Sequence, residues 1–395
     1  MKKDVKWKVA RWIALLFCHV LAIFVFMGGA FAVVFGSLHP GTHLLLWLAF
    51  VLGLCLALVR LVCRRRWLVR VGLGLSLAAV LGAAGISACD WWTKDRFDKV
   101  ENRVDWWDYK PFAPGNKLVK AECPDAFRFE GWLPRISCAY ALYPVGAAAV
   151  EALCPKALYK DGGISPESSP MAFDRLVADS ADDCWGVGRA DVILALAPSE
   201  KQKAAAAEAG FEFELTPVTK DAFVFFVPVS NPVRGLTSQQ VKDIYSGKTT
   251  TWKELGVNLQ AKMLPYQRNE GSGSQTALER LMEDTPLMEP LKEDRLGGMG
   301  GIISDTADYR NHPGALGFSF RYYATELVRE NKIKLLEIDG VAPTVENIRS
   351  GAYPFVETAY AITVRPRVGN VGKFIDFLVS PAGRDLIEKT GYVAP

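Results

Sequence analysis

The stretch Gln267-Arg268-Asn269-Glu270-Gly271-Ser272-Gly273-Ser274-Gln275-Thr276 sets one arginine four residues ahead of a Ser-Gly-Ser turn. The turn opens a helical pattern over residues 275–282. Glycines let the backbone turn tightly and bring its N–H groups against a ligand. A helix start leaves N–H donors free and carries partial positive charge. Ser272 and Ser274 add hydroxyl donors, and Arg268 adds a forked, permanently charged one. Together these groups have the chemistry of an oxyanion clamp. A surface turn followed by a capped helix is the other reading, because serines cap helices often.

On both sides of this stretch the chain reads as a mixture of strands and helices. Residues 135–139, 190–196 and 222–229 have strand character, the last almost wholly apolar. Residues 145–153 are alanine-rich and helical, and residues 171–177 carry Phe173, Leu176 and Val177 on one side. Residues 200–209 form a helix stopped by Gly210. Residues 238–246 form another, with Thr237 as its N-cap. Residues 374–378 and 383–389 form a helical pair before Gly391. Such alternation implies α/β layers.

The 395 residues suffice for two or three domains, and the apolar half of the composition is unevenly spread. Residues 1–90 are overwhelmingly apolar, with runs at 12–35, 44–62 and 67–88. Each run is near the ~20 residues that cross a bilayer. Lys2, Lys3, Lys6, Lys8 and Arg11 precede the first run, and Arg60, Arg64, Arg65, Arg66 and Arg70 surround the join of the second and third. The loop between the first two has neither Lys nor Arg. The positive-inside rule then puts the N-terminus in the cytoplasm and everything after the third helix outside it. Three retained transmembrane helices are expected in a bacterial cytoplasmic membrane, followed by a juxtamembrane extension over residues 91–125. Ile86-Ser87-Ala88-Cys89 leaves a lipoprotein cleavage site open as an alternative.

A net charge of +3 with no basic tract beyond the membrane flanks excludes nucleic acid as a partner. His19, His39, His43 and His312 lack metal-ligand spacing, so neither a metal nor a cofactor is expected. His312 is the one exported histidine, and no Ser/His/Asp arrangement surrounds it, so the chain is not expected to be an enzyme. Cys123, Cys138, Cys154 and Cys184 permit two disulfides in three connectivities, and at least one is expected.

Along residues 130–395 a series of short motifs recurs in a fixed order. It includes Leu133-Pro134-Arg135 with Ala141-Leu142-Tyr143-Pro144, then Asp191-Val192-Ile193 with Pro198-Ser199. It continues through Asn231-Pro232-Val233, Ile244-Tyr245-Ser246-Gly247-Lys248 with Trp252, and the Arg268–Thr276 clamp. Gly317-Phe318-Ser319-Phe320, Ile338-Asp339-Gly340-Val341, Gly351-Ala352-Tyr353-Pro354 and Thr390-Gly391-Tyr392 complete it. In this order the series resembles the phosphate-binding protein family of bacterial ABC importers; residues 1–90 have no counterpart there. The resemblance implies an α/β, two-lobed periplasmic-binding-protein-like domain of type II. Lobe one would comprise residues 126–226 and 357–395, and lobe two residues 227–356. It further implies phosphate or a related oxyanion in the interlobe cleft, and an ABC importer permease as partner.

Carried over by motif, the lobe-two half of the site is Arg268, Ser272, Gly273 and Ser274. The lobe-one half is Tyr140 and Ala141 through their backbone N–H groups, and Ser168 or Ser169 through a hydroxyl. Tyr140 replaces the family's threonine, and Leu196 stands where phosphate binders carry an aspartate. A leucine accepts no hydrogen bond, so the oxyanion preferred is left open. The function implied is a membrane-tethered, extracytoplasmic solute-binding protein. A membrane-bound oxyanion sensor or scaffold is the alternative, since three helices exceed what an anchor needs.

Overall fold

One strand of 15 residues, Glu214–Pro228, passes through both main hydrophobic cores of the protein. The computed structural model describes residue 81 and residues 104–178, 188–290, 313–328 and 333–395. The expected membrane spans lie outside these residues apart from Leu81, as do Cys89, Cys184 and His312. Among the described residues no helix is long and apolar enough to cross a membrane.

The first layer begins with β1 (Ile136–Ala139), α1 (Tyr143–Leu153), β2 (Ile164–Glu167), α2 (Ser169–Val177), β3 (Val192–Leu196) and α3 (Glu200–Glu208). β1 lies between β2 and β3 and is parallel to both. Two right-handed helical crossovers are the usual means of making that order, and ligands bind outside the carboxyl ends of such strands. The alanines of α1 are buried, and Gly146 brings the helix close to β1. A Cβ there would lie 2.6 Å from Cys138 Sγ, so larger residues are excluded at this crossing.

β4 is the long strand Glu214–Pro228, followed by β5 (Gly235–Leu236), α4 (Ser238–Tyr245), β6 (Leu264–Pro265) and α5 (Gly273–Met282). Then come β7 (Ala315–Phe320), β8 (Ile333–Leu335), β9 (Glu337–Ile338), α6 (Val345–Ser350), β10 (Val356–Thr363), α7 (Asn370–Val379) and α8 (Pro381–Thr390). The main sheet runs β2-β1-β3-β10-β4-β7-β6, with β8 also on β4 and β5 paired to β9 apart from it.

The polar half of β4 pairs with β10, and its apolar half, from Phe223, pairs with β7 and β8. One core gathers α1, α7 and α8 against β1, β3 and Val218; the other begins at Ala222 and includes Phe225, Phe318, Tyr245 and Trp252. Trp252 is fully buried and donates its indole N–H to the Gly314 carbonyl at 3.1 Å, so it anchors the second core. The fold is therefore α/β and two-lobed.

The strand expected at 222–229 extends eight residues further toward its N-terminus, to Glu214. Pro217 argues against a strand there. It is accommodated because the register slips between Ala359 and Tyr360, a bulge at which Pro217 faces Tyr360. Thr237 caps α4 with a full capping box, and Gln240 completes it. The disulfide expectation is corrected for three of its four cysteines: Cys123, Cys138 and Cys154 carry free thiols. Cys138 is a core residue on β1, and burial holds its thiol well above its ordinary pKa.

Candidate functional site

Three helix starts open on one cleft of about 320 Å³. After β1 the chain turns through a 3-10 segment, Tyr140–Leu142, into α1. After β2, Ser168 occupies the N-cap of α2 in extended conformation, and its side chain makes no capping bond. Ser199 on α3, by contrast, accepts from Gln202 N–H and closes a capping box. The third start is that of α5, which enters from the other side of the cleft.

The loop before α5 is shaped by its own backbone. Ser272 N–H donates to Asn269 O at 3.1 Å, and Gly271 takes a left-handed φ of 78° that closes the turn. Ser272 caps α5 by accepting from Gln275 N–H. Gln275 returns the constraint, because its Oε1 accepts from Arg268 N–H at 2.9 Å. Arg268 is thus tied to the helix whose start it accompanies. A Cβ on Gly273 would sit 3.2 Å from both Leu196 Cδ1 and Ser169 Oγ, so the start of α5 nearly touches the end of β3 and the start of α2.

Every residue predicted for the site lines this cleft: Arg268, Ser272, Gly273, Ser274, Tyr140, Ala141, Ser168 and Ser169. Leu196 is in the wall as well. Sequence reasoning missed a second group: Thr219 and Asp221 on β4, Ser319 and Phe320 on β7 and Glu357 on β10, joined by Tyr323 after β7 and Tyr392 after α8. The one available signal was Asp221, a carboxylate immediately before the apolar run of β4. Asp191 has a structural role away from the cleft, accepting from Arg135 N–H at 2.9 Å.

The carboxylates of the wall each have a cation nearby. Glu167 is buried against Arg175, and its Oε1 also accepts from Ser165 Oγ at 2.6 Å. Asp221 lies 3.8 Å from Arg321 and accepts from the N–H groups of Ala222 and Tyr322. Burial pushes its carboxyl up to about 7, although Arg321 and the two backbone donors pull the other way. Glu357 is the register partner of Asp221 on β10 and is also raised by burial, with Arg280 opposing. Glu270 pairs with Lys201 at 3.0 Å, with both side chains exposed.

Arg280, on α5, ties that helix to β10 and to the end of β3. It donates to Glu357 Oε2 at 2.8 Å and to the Ala197 carbonyl at 2.6 Å, next to Leu196. The pair is partly exposed, so screening limits its strength. Arg280→Ala is expected to weaken ligand binding by about 1 kcal/mol, roughly fivefold. Calorimetry on the variant checks this, and an unchanged affinity would show that the contact does not hold the two sides together.

Among the described residues, no group of histidine, cysteine or carboxylate side chains assembles that could hold a metal ion. The donors of the cleft are backbone N–H groups at helix starts, hydroxyls and one arginine. Such a set receives an anion without stripping charge from many cations.

Residues 136–382 match the model of the PBP superfamily domain, and the chain belongs to that family. Among its relatives is the phosphate-binding protein PstS of Bacillus subtilis, 29% identical over 163 residues, which are 41% of this chain and 51% of that protein. Another is the phosphate-binding protein PstS of Staphylococcus epidermidis, 24% identical over 243 residues, 60% of this chain and 71% of that protein. The chain thus spans about half the length of the Bacillus relative. Among solved structures, a putative phosphate ABC transporter substrate-binding protein from Clostridium perfringens, with bound phosphate, is 24% identical. It covers 66% of this chain and 98% of its own, with a TM-score of 0.48.

Proposed function

We propose that the cleft binds phosphate or a related oxyanion, and that the protein captures it outside the cytoplasm for an ABC importer. The observation that carries this reading is the meeting of three helix starts and Arg268 at one small cleft. Its volume of about 320 Å³ falls at the lower end of the ~300–1,000 Å³ usual for ligand pockets, so it suits a small solute. The names of the relatives point the same way.

Lobe one, taken as residues 126–226 and 357–395, would supply Tyr140, Ala141, Ser168 and Ser169. Lobe two, residues 227–356, would supply Arg268, Ser272, Gly273 and Ser274. β4 and β10 would serve as the hinge; the core changes at Asp221 and Ala222, so residues 222–226 pack with lobe two although they precede the boundary taken for it. Ligand then favours the closed state by as much as it binds that state better. Binding and release, rather than chemistry, are the activity. Residues 1–90 would tether the protein to the cytoplasmic membrane beside its permease.

Isothermal calorimetry on the purified full chain tests the proposal, with phosphate titrated first and sulfate second. Micromolar or tighter phosphate binding is the expected result. The sulfate titration reads the effect of Leu196, which offers no acceptor for a proton on the anion. Absence of heat with phosphate would overturn the assignment.

A further inference from the structure

The segment before the family match is folded onto the cleft wall. Trp106–Tyr109 forms a 3-10 turn, capped by Asp105 through the Trp107 N–H. The Trp106 ring stacks on Tyr140, with centroids 5.3 Å apart and planes 23° apart. It also meets Tyr143 edge-on at 5.7 Å. Further along, Phe112 N–H and Asn116 Nδ2 both donate to Glu151 Oε2, at 2.8 and 2.7 Å. The segment is thus fixed at both ends of α1: by Trp106 at the start, where the cleft lies, and by Glu151 near the finish.

Tyr140 is the residue of this group that lines the cleft. A ring held by stacking has little rotational freedom left to lose when a ligand arrives, and such preorganisation strengthens binding. Trp106 precedes residue 136, where the family match begins, so this support is an addition to the matched domain.

We infer that Trp106 is a positioning residue of the cleft: it fixes the Tyr140 ring and thereby couples the segment 104–116 to ligand occupancy. The inference rests on the oxyanion reading above. It requires that Trp106 act through Tyr140, which distinguishes it from a residue that merely stabilises lobe one.

The experiment is a double-mutant cycle on the full chain, read by phosphate calorimetry. Trp106→Ala is expected to bind phosphate roughly tenfold more weakly, and Trp106→Phe to retain most of the affinity. In a Tyr140→Ala background, Trp106→Ala should cause no further loss. A loss of the same size in both backgrounds would overturn the inference, as would wild-type affinity in Trp106→Ala. A second readout needs no destabilising change: the 5-fluorotryptophan resonance assigned to Trp106 with Trp106→Phe. It should shift when phosphate saturates the wild-type chain, and a resonance that does not move would equally overturn the coupling. Failure of the wild-type chain itself to bind phosphate is a separate result, which removes the oxyanion reading and this inference with it.

Discussion

Replacing Arg268 by alanine is expected to weaken phosphate binding by about 2–5 kcal/mol, roughly thirtyfold to several thousandfold in Kd. The size follows from what remains. The helix starts and hydroxyls of the cleft would still donate hydrogen bonds, but no arginine would answer the anion's charge. The nearby carboxylates Asp221, Glu357 and Glu270 would then act on the ligand with less opposition. Arg268→Lys should recover only part of the loss, because an ammonium cannot present a planar fork to two oxygens. Calorimetry on both variants, with circular dichroism to establish folding, decides the matter. Wild-type affinity in Arg268→Ala would remove the clamp from the site.

A comparable effect, on stability rather than binding, is expected at Asp221. Its side chain is buried beside Arg321, and its oxygens accept from the N–H groups of Ala222 and Tyr322. Asp221→Ala would leave the buried Arg321 guanidinium without its counter-charge and two backbone donors without their acceptor. Breaking a buried pair on one side costs about 3–5 kcal/mol. Chemical denaturation near pH 8 measures it, and a loss within experimental error would show that the pair contributes nothing net.

The pH dependence has a definite sign. Burial raises the folded-state carboxyl to about 7 from an ordinary value near 3.8. Between those values the folded protein holds a proton that the unfolded chain has released. Stability from this group is complete at the acid end, falls as pH rises through the window, and levels off above about 7. Arg321 and the N–H of Tyr322 face the carboxyl, and burial holds the nearby Tyr392 hydroxyl well above its ordinary pKa. Wild type should lose melting temperature relative to Asp221→Asn between pH 4 and about 7. Parallel profiles for the two proteins would contradict the assignment.

The turn before α5 was legible because its geometry is local. Gly271, the capping Ser272 and the arginine four residues before it lie within one short stretch, and the turn they make needs no distant partner. The cap of α4 at Thr237 was legible for the same reason. The first half of β4 was not, because Pro217 and Glu214 read as loop until β10 pairs with them across a bulge. Asp221 and Glu357 face each other only through that register, and no periodicity within either strand reveals it. Cys138 misled in another way: an even cysteine count suggested crosslinks, whereas its place beneath α1 is that of a small apolar side chain.

Tyr392 and Val393 follow every other described element in sequence, yet they close the centre of the fold. Tyr392 lines the cleft and donates its hydroxyl to the Ala141 carbonyl, while Val393 bridges to Lys220 on β4. Closing this wall joins residues 251 positions apart in the chain, so the cleft is completed by a contact of high sequence separation, the kind that forms slowly in folding.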